Sequence, residues 1–269
     1  MKSAQPIGIF DSGIGGLTLA SHLTRMLPAE DLVYFGDTAH LPYGDKSTAA
    51  IQAYSVKISQ FLLDKGVKAI LIACNSASAA AYELVREYVG NKAKVFNVID
   101  PVVDYLATGF PGRRVGLIGT KQTVNSGIFQ QKLGARNCGT ELASLATPLL
   151  APMIEEGFFN NQISLSIIRE YLENPILRDI EAIVLACTHY PLISGQINDF
   201  FRGKVAIIDS VKLVADRVIE ELGSDGLLRP SDDEGKKIFY VSDFTPAFES
   251  ATQLFFGGRL HLEHYPLWD

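Results

Sequence analysis

Short apolar runs alternate along most of this chain with segments whose apolar residues recur at helical spacing. Pro6–Phe10, Leu32–Phe35, Val67–Ala73 and Val95–Val98 are almost wholly apolar, as strands covered on both faces are. A helical segment follows the first run and ends near Leu27. A second starts at Ser47, with Ile51, Tyr54, Ile58, Phe61 and Leu62 on one face and Gly66 as its stop, and a third spans Ser76–Val89. This alternation predicts a parallel sheet with right-handed crossovers. The pattern then restarts. Arg114–Ile118 resembles Pro6–Phe10, and the run Ala69-Ile70-Leu71-Ile72-Ala73-Cys74 returns as Ala182-Ile183-Val184-Leu185-Ala186-Cys187, identical at four of six positions. The two offsets, 108 and 113 positions, keep a similar register.

The expected fold class is therefore α/β: two similar parallel-sheet α/β domains, related by a pseudo-two-fold and facing each other across a cleft. After Asp209 come a helix over Val211–Leu222, a Gly/Asp/Ser/Pro-rich loop over 223–235, a strand over Lys237–Val241 and a helix from Pro246 to Phe255. This tail belongs to neither repeat and is expected to return to the first half. The first domain would then comprise residues 1–98 plus 210–269 and carry Asp11, Tyr43 and Cys74. The second would comprise residues 99–209 and carry Thr120, Glu155, Cys187 and His189.

Charge and composition narrow the partners. A net charge of −6 over 269 residues, with no long basic run, argues against nucleic acid. A small anion remains possible, since helix N-termini bind anions without net positive charge. No stretch of eighteen apolar residues is present, so a membrane span is not expected. Asp11 arrives before a signal-peptide core could form. Three cysteines do not make a disulfide framework, and reduced thiols fit the expected home, the cytoplasm.

Ligands of open parallel sheets sit beyond the carboxyl ends of the strands. The candidates are therefore Asp11-Ser12, Thr38–Gly44, Cys74-Asn75-Ser76, Gly119-Thr120 and Cys187-Thr188-His189. A lone cysteine at such a place is more often a small buried hydrophobe. A matched pair suits proton transfer on opposite sides of one carbon, one thiolate as base and one thiol as acid. Asn75, Ser76 and Ser78 are helix-capping types, and a helix N-terminus there would favour the Cys74 thiolate. Cys138 has no such companions and reads as structural. His189 could relay protons to Cys187 or simply cap a helix. Cys187-x-His189 hints at a metal, but no further ligands cluster nearby. Asp11 could orient Cys74, bind an ammonium group, or be a turn residue beside glycines. Pro42-Tyr43-Gly44 reads as a turn. Glu155, placed early in a helix, reads by itself as a solvated acid at a helix start.

Taken together, Gly8-Ile9-Phe10-Asp11-Ser12-Gly13-Ile14-Gly15-Gly16, Phe35-Gly36-Asp37 through Pro42-Tyr43-Gly44, Ala73-Cys74-Asn75-Ser76-Ala77-Ser78, Gly116-Leu117-Ile118-Gly119-Thr120 and Cys187-Thr188-His189-Tyr190-Pro191-Leu192 resemble the glutamate racemases of the cofactor-independent aspartate/glutamate racemase superfamily. The resemblance implies interconversion of L- and D-glutamate, supplying D-glutamate for peptidoglycan, with no pyridoxal phosphate, no metal and a homodimer as the expected assembly. It implies that Cys74 takes the α-proton from D-glutamate and Cys187 from L-glutamate, that Asp11 and His189 assist the nearer thiol, and that Glu155 sits near His189. Asp11, Ser12, Tyr43, Gly44, Asn75, Ser76, Thr120, Thr188 and His189 would bind substrate. Ser76 stands where the family usually has threonine, Ala186 where glycine is frequent and Lys46 where arginine is common. Three other readings stay open on the sequence: a racemase of aspartate or a hydantoin, a two-lobed binding module, and a thiol redox enzyme.

Overall fold

The computed structural model describes residues 1–231, 233–244, 252–258 and 260–269. Among the described residues, ten strands form two sheets that are parallel throughout. The larger holds β1 (Ile7–Asp11), β2 (Leu32–Gly36), β3 (Ala69–Ile72), β4 (Lys94–Asn97), β9 (Lys237–Val241) and β10 (Leu262–His264), in the order β10-β9-β2-β1-β3-β4. The smaller holds β5 (Arg114–Gly119), β6 (Glu141–Ala146), β7 (Ala182–Ala186) and β8 (Ala206–Asp209), in the order β6-β5-β7-β8. Every residue of β1, β2, β3 and β7 is buried, because helices cover both faces of each sheet.

The helices of the first half are α1 (Leu17–Met26), α2 (Thr48–Asp64) and α3 (Asn75–Val89). Then come α4 (Asp100–Gly109), α5 (Lys121–Asn125), α6 (Ile128–Ala135), α7 (Leu150–Glu155), α8 (Gln162–Leu172), α9 (Ser194–Phe200) and α10 (Ser210–Ser224). Ser47 caps α2, its hydroxyl accepting the Ala50 N–H, and Gly66 at φ 75° turns the chain away at the other end. Residues 252–256 are helical; the rest of the helix expected from Pro246 lies outside the described residues.

The internal repeat is explicit in the strand order. β2-β1-β3-β4 and β6-β5-β7-β8 are the same four-strand arrangement, with β1 equivalent to β5 and β3 to β7. In each, the chain leaves the first strand towards one edge and the next towards the other. The switch point, where a crevice opens beyond the carboxyl ends, lies between β1 and β3 in one lobe and between β5 and β7 in the other. Cys74 follows β3 and Cys187 follows β7. The repeated apolar run therefore delivers one thiol to each crevice.

One buried ion pair fastens the opposite ends of these strands. Lys68, just before β3, donates to Glu30 and to the Ser3 carbonyl at 2.6 Å, while Glu30 accepts the Arg229 N–H at 2.7 Å. Both side chains are buried. Lys68→Met is expected to cost on the order of 3–5 kcal/mol in urea unfolding, because it strands the Glu30 charge. The double variant Lys68→Met/Glu30→Leu should recover most of that loss.

Candidate active site

Between the lobes lies a cavity lined by Ser12, Pro42, Tyr43, Gly44, Cys74, Asn75 and Ser76 from one side and Thr120, Ala151, Glu155, Cys187, Thr188 and His189 from the other. Its volume is about 20 Å³, room for roughly one water molecule. A much larger hollow of about 640 Å³ runs between α8 and α9. It is an open surface groove without a nucleophile, so the chemistry belongs to the smaller space.

The lobes close on each other through short residues. A side chain at Gly15 would lie 2.4 Å from Thr188 Oγ1, and one at Gly44 would lie 2.8 Å from Thr120 Cβ. Glycine is needed at both places for this approach. Polar contacts bridge the same seam. Ser76 Oγ and Thr120 Oγ1 are 2.8 Å apart, Gln122 donates to Thr48 Oγ1 at 3.0 Å, and Lys121 pairs with Asp45 at 3.2 Å.

The two thiols have different surroundings. Cys74 is itself the N-cap of α3, its sulfur accepting the Ala77 N–H at 3.4 Å, and its thiol donates to Ser12 Oγ at 3.6 Å. The sequence suggests that this helix end favours the thiolate. The structure reverses that balance: burial pushes the Cys74 thiol up to about 12, the Asp11 charge adds to the rise, and the Ala77 N–H and Ser12 only partly offset it. Cys74 is hydrogen-bonded to Ser12 and to the Ala77 N–H rather than to Asp11. Asp11 ends β1, fully buried, with Oδ2 accepting the Gly13 N–H and Oδ1 left without a partner. Burial raises its carboxyl above the ordinary value, against the pull of His189. Asn75 Nδ2 is a second buried polar atom without a partner.

Cys187 lies beside His189. Its sulfur is 3.5 Å from His189 Nδ1, and His189 Nε2 is 2.8 Å from Glu155 Oε1. Burial works against the imidazolium, but the Glu155 carboxylate and the Cys187 sulfur outweigh it and hold His189 well above its usual range. Glu155 is not the solvated helix start expected from the sequence. It is the last residue of the six-residue α7, its side chain 11% exposed, because Gly157 at φ 70° ends the helix there. Cys138 lies outside the cavity lining, packed against the core of the second lobe, its sulfur 3.2 Å from Thr140 Oγ1. Among the described residues, no group of three or more His, Cys, Asp or Glu is disposed to hold a metal ion.

Of the substrate-binding candidates, Ser12, Tyr43, Gly44, Asn75, Ser76, Thr120, Thr188 and His189 all line the cavity, whereas Asp11 stands behind it. The Tyr43 hydroxyl points away, donating to Asp37 at 2.6 Å, so its loop can offer backbone and ring rather than the hydroxyl. Asp37 is the residue that sequence reasoning left without a role. No helix among the described residues is long and apolar enough to cross a membrane.

The chain and its fold have close counterparts among known proteins. Residues 13–218 match the Asp/Glu/Hydantoin racemase family model. A glutamate racemase of Thermus thermophilus is 41% identical over 249 residues, covering 92% of this chain and 91% of its own. One from Geobacter metallireducens is 37% identical over 254 residues, covering 94% and 93%. The crystal structure of glutamate racemase from Francisella tularensis in complex with D-glutamate superposes with a TM-score of 0.93 at 37% identity, over 99% of both chains.

Proposed function

The chain belongs to the Asp/Glu/Hydantoin racemase family, and from that membership we propose that it interconverts L- and D-glutamate by proton transfer between Cys74 and Cys187, without a cofactor. The observation that carries this reading is one cavity lined by two sulfurs, each from the equivalent strand end of a repeated lobe. The named relatives favour glutamate over aspartate or a hydantoin.

In the L-to-D direction the Cys187 thiolate, paired with the His189 imidazolium, takes the α-proton. Cys74, held as a thiol, gives its proton to the opposite face. The α-carbon's electron pair, delocalised onto the carboxylate for the interval, closes onto that proton. The products are D-glutamate, a Cys187 thiol and a Cys74 thiolate, and a return proton transfer or a turnover in reverse restores the start. A thiolate is a weak base for so weak an acid. Exclusion of bulk water on closure and donors such as Asn75, Ser76, Thr120 and Thr188 supply the missing stabilisation of charge. Asn75 Nδ2, buried and unpartnered, suits a substrate carboxylate, and Asp11 Oδ1 suits the ammonium side.

Residues 1–98 plus 210–269 and residues 99–209 act as the two jaws in this proposal. Glutamate does not fit in about 20 Å³, so the jaws part to admit it and close to exclude water. D-glutamate made this way would feed peptidoglycan synthesis, in the cytoplasm where both thiols stay reduced, and a homodimer is the assembly proposed. Incubation of the purified protein with L-glutamate in D₂O, without added cofactor, tests the reaction. The expected result is a racemic product carrying deuterium at the α-carbon. Product that keeps its original hydrogen would refute exchange through thiols.

A further inference from the structure

Asp37 is a fully buried carboxylate outside the cavity lining, and it gathers donors from distant parts of the chain. Its Oδ1 accepts the Ser242 hydroxyl at 2.8 Å and the Trp268 indole N–H at 2.7 Å, while Oδ2 accepts the Tyr43 hydroxyl at 2.6 Å and lies 3.0 Å from His40 Nδ1. Its backbone N–H donates to the Asp11 carbonyl at 3.0 Å. Trp268 is the penultimate residue. Its ring stands edge-on to His40 at 4.5 Å and to Tyr54 at 5.3 Å, under the Lys57 ammonium at 4.8 Å. Tyr54 in turn packs against Tyr43 at 5.7 Å.

We infer that Trp268 is a positioning residue for the substrate loop, acting through Asp37 on Tyr43 and Gly44. The inference rests on the racemase reading above. The Pro42-Tyr43-Gly44 segment faces the cavity, yet its strongest side-chain tether points backwards, into the Asp37 carboxylate. That carboxylate is itself oriented by the C-terminal indole. A carboxylate held by Trp268 and Ser242 at one oxygen and by Tyr43 and His40 at the other has a fixed plane, and so the hydroxyl it holds is fixed. Loss of the indole donor leaves Oδ1 to Ser242 and His40, which loosens the carboxylate plane and lets the loop drift, without touching either sulfur. The loop lines the cavity but carries neither sulfur, so its drift is expected to weaken ground-state and transition-state binding alike and to appear in KM while sparing kcat.

The chain contains a single tryptophan. Growth with benzothienylalanine in place of tryptophan therefore exchanges one N–H for sulfur, at position 268 alone and with the ring shape kept. The substituted enzyme is expected to show KM for both glutamate enantiomers raised by about five- to tenfold, with kcat within about twofold, a part of what one hydrogen bond to a charged group contributes. Trp268→Phe, a second route to the same loss, should do likewise. Combined with Tyr43→Phe it should be no worse than the worse single variant, since both act through one carboxylate. A tail that merely braces the sheet would lower the unfolding midpoint and leave KM alone. Unmoved KM in the analogue enzyme, or single effects that multiply in the double variant, overturns the inference. An unmodified enzyme that fails to racemise glutamate overturns the racemase reading and this inference with it; an active one with unmoved KM overturns this inference alone.

Discussion

Replacing either cavity cysteine by serine is expected to lower kcat/KM for glutamate by at least about 10³, in line with what a positioned acid or base contributes. Serine keeps the branch-free shape and the hydrogen-bonding capacity at a slightly smaller volume, so the loss falls mainly on proton transfer. Cys74→Ser should still cap α3, since serine is the better N-cap, and should unfold no earlier than the parent. Cys138→Ser, outside the cavity, serves as the control and should leave the rate unchanged. A substantial rate in either cavity variant would mean that one base serves both faces. The physics adds a constraint. Enantiomers in water have equal free energies, so their equilibrium constant is one and kcat/KM must be the same from L- and from D-glutamate in every variant. The unlike surroundings of the two sulfurs can therefore show only in kcat and KM taken separately. Unequal kcat/KM values in the two directions would indicate a different reaction.

The strands that carry the thiols were the most legible part of the sequence. They are apolar throughout because both faces are covered, and their repetition follows from two sheets with the same strand order. β10 was not legible: it has three residues, two of them exposed, and its pairing with β9 is set by the fold rather than by its own pattern. Local chemistry was legible in kind and less so in balance. A capping segment after Cys74 is visible in the residue types, but the burial that outweighs it is a property of the closed lobes. Glu155 was misplaced because a helix of six residues leaves too short a periodic signal to fix its end. Asp37 escaped because its partners lie at positions 43, 242 and 268, which only the assembled sheet brings together.

The second large effect concerns charge beside Cys187. Glu155→Gln keeps the shape and a hydrogen-bonding oxygen but removes the carboxylate that outweighs burial at His189. A neutral imidazole in a dry site is then favoured, and the counter-ion 3.5 Å from the Cys187 sulfur is lost. The alkaline limb of the kcat/KM profile is expected to move down by about one pH unit or more, each unit being about 1.4 kcal/mol of lost preference for the cation. At pH 8 the rate should fall on the order of 10²-fold, and it should recover partly towards pH 6 as the imidazole is protonated again. The same group leaves a mark on stability. Its folded value lies above the unfolded value of about 6.5, so its contribution is complete below that pH and disappears as pH rises through the higher folded value. The parent should therefore lose stability across that window, and Glu155→Gln should lose less over the same range, from a lower starting point. Parallel thermal melts and rate profiles from pH 6 to 10 measure both. An alkaline limb that stays in place in Glu155→Gln would show that the rate does not depend on the charge of His189.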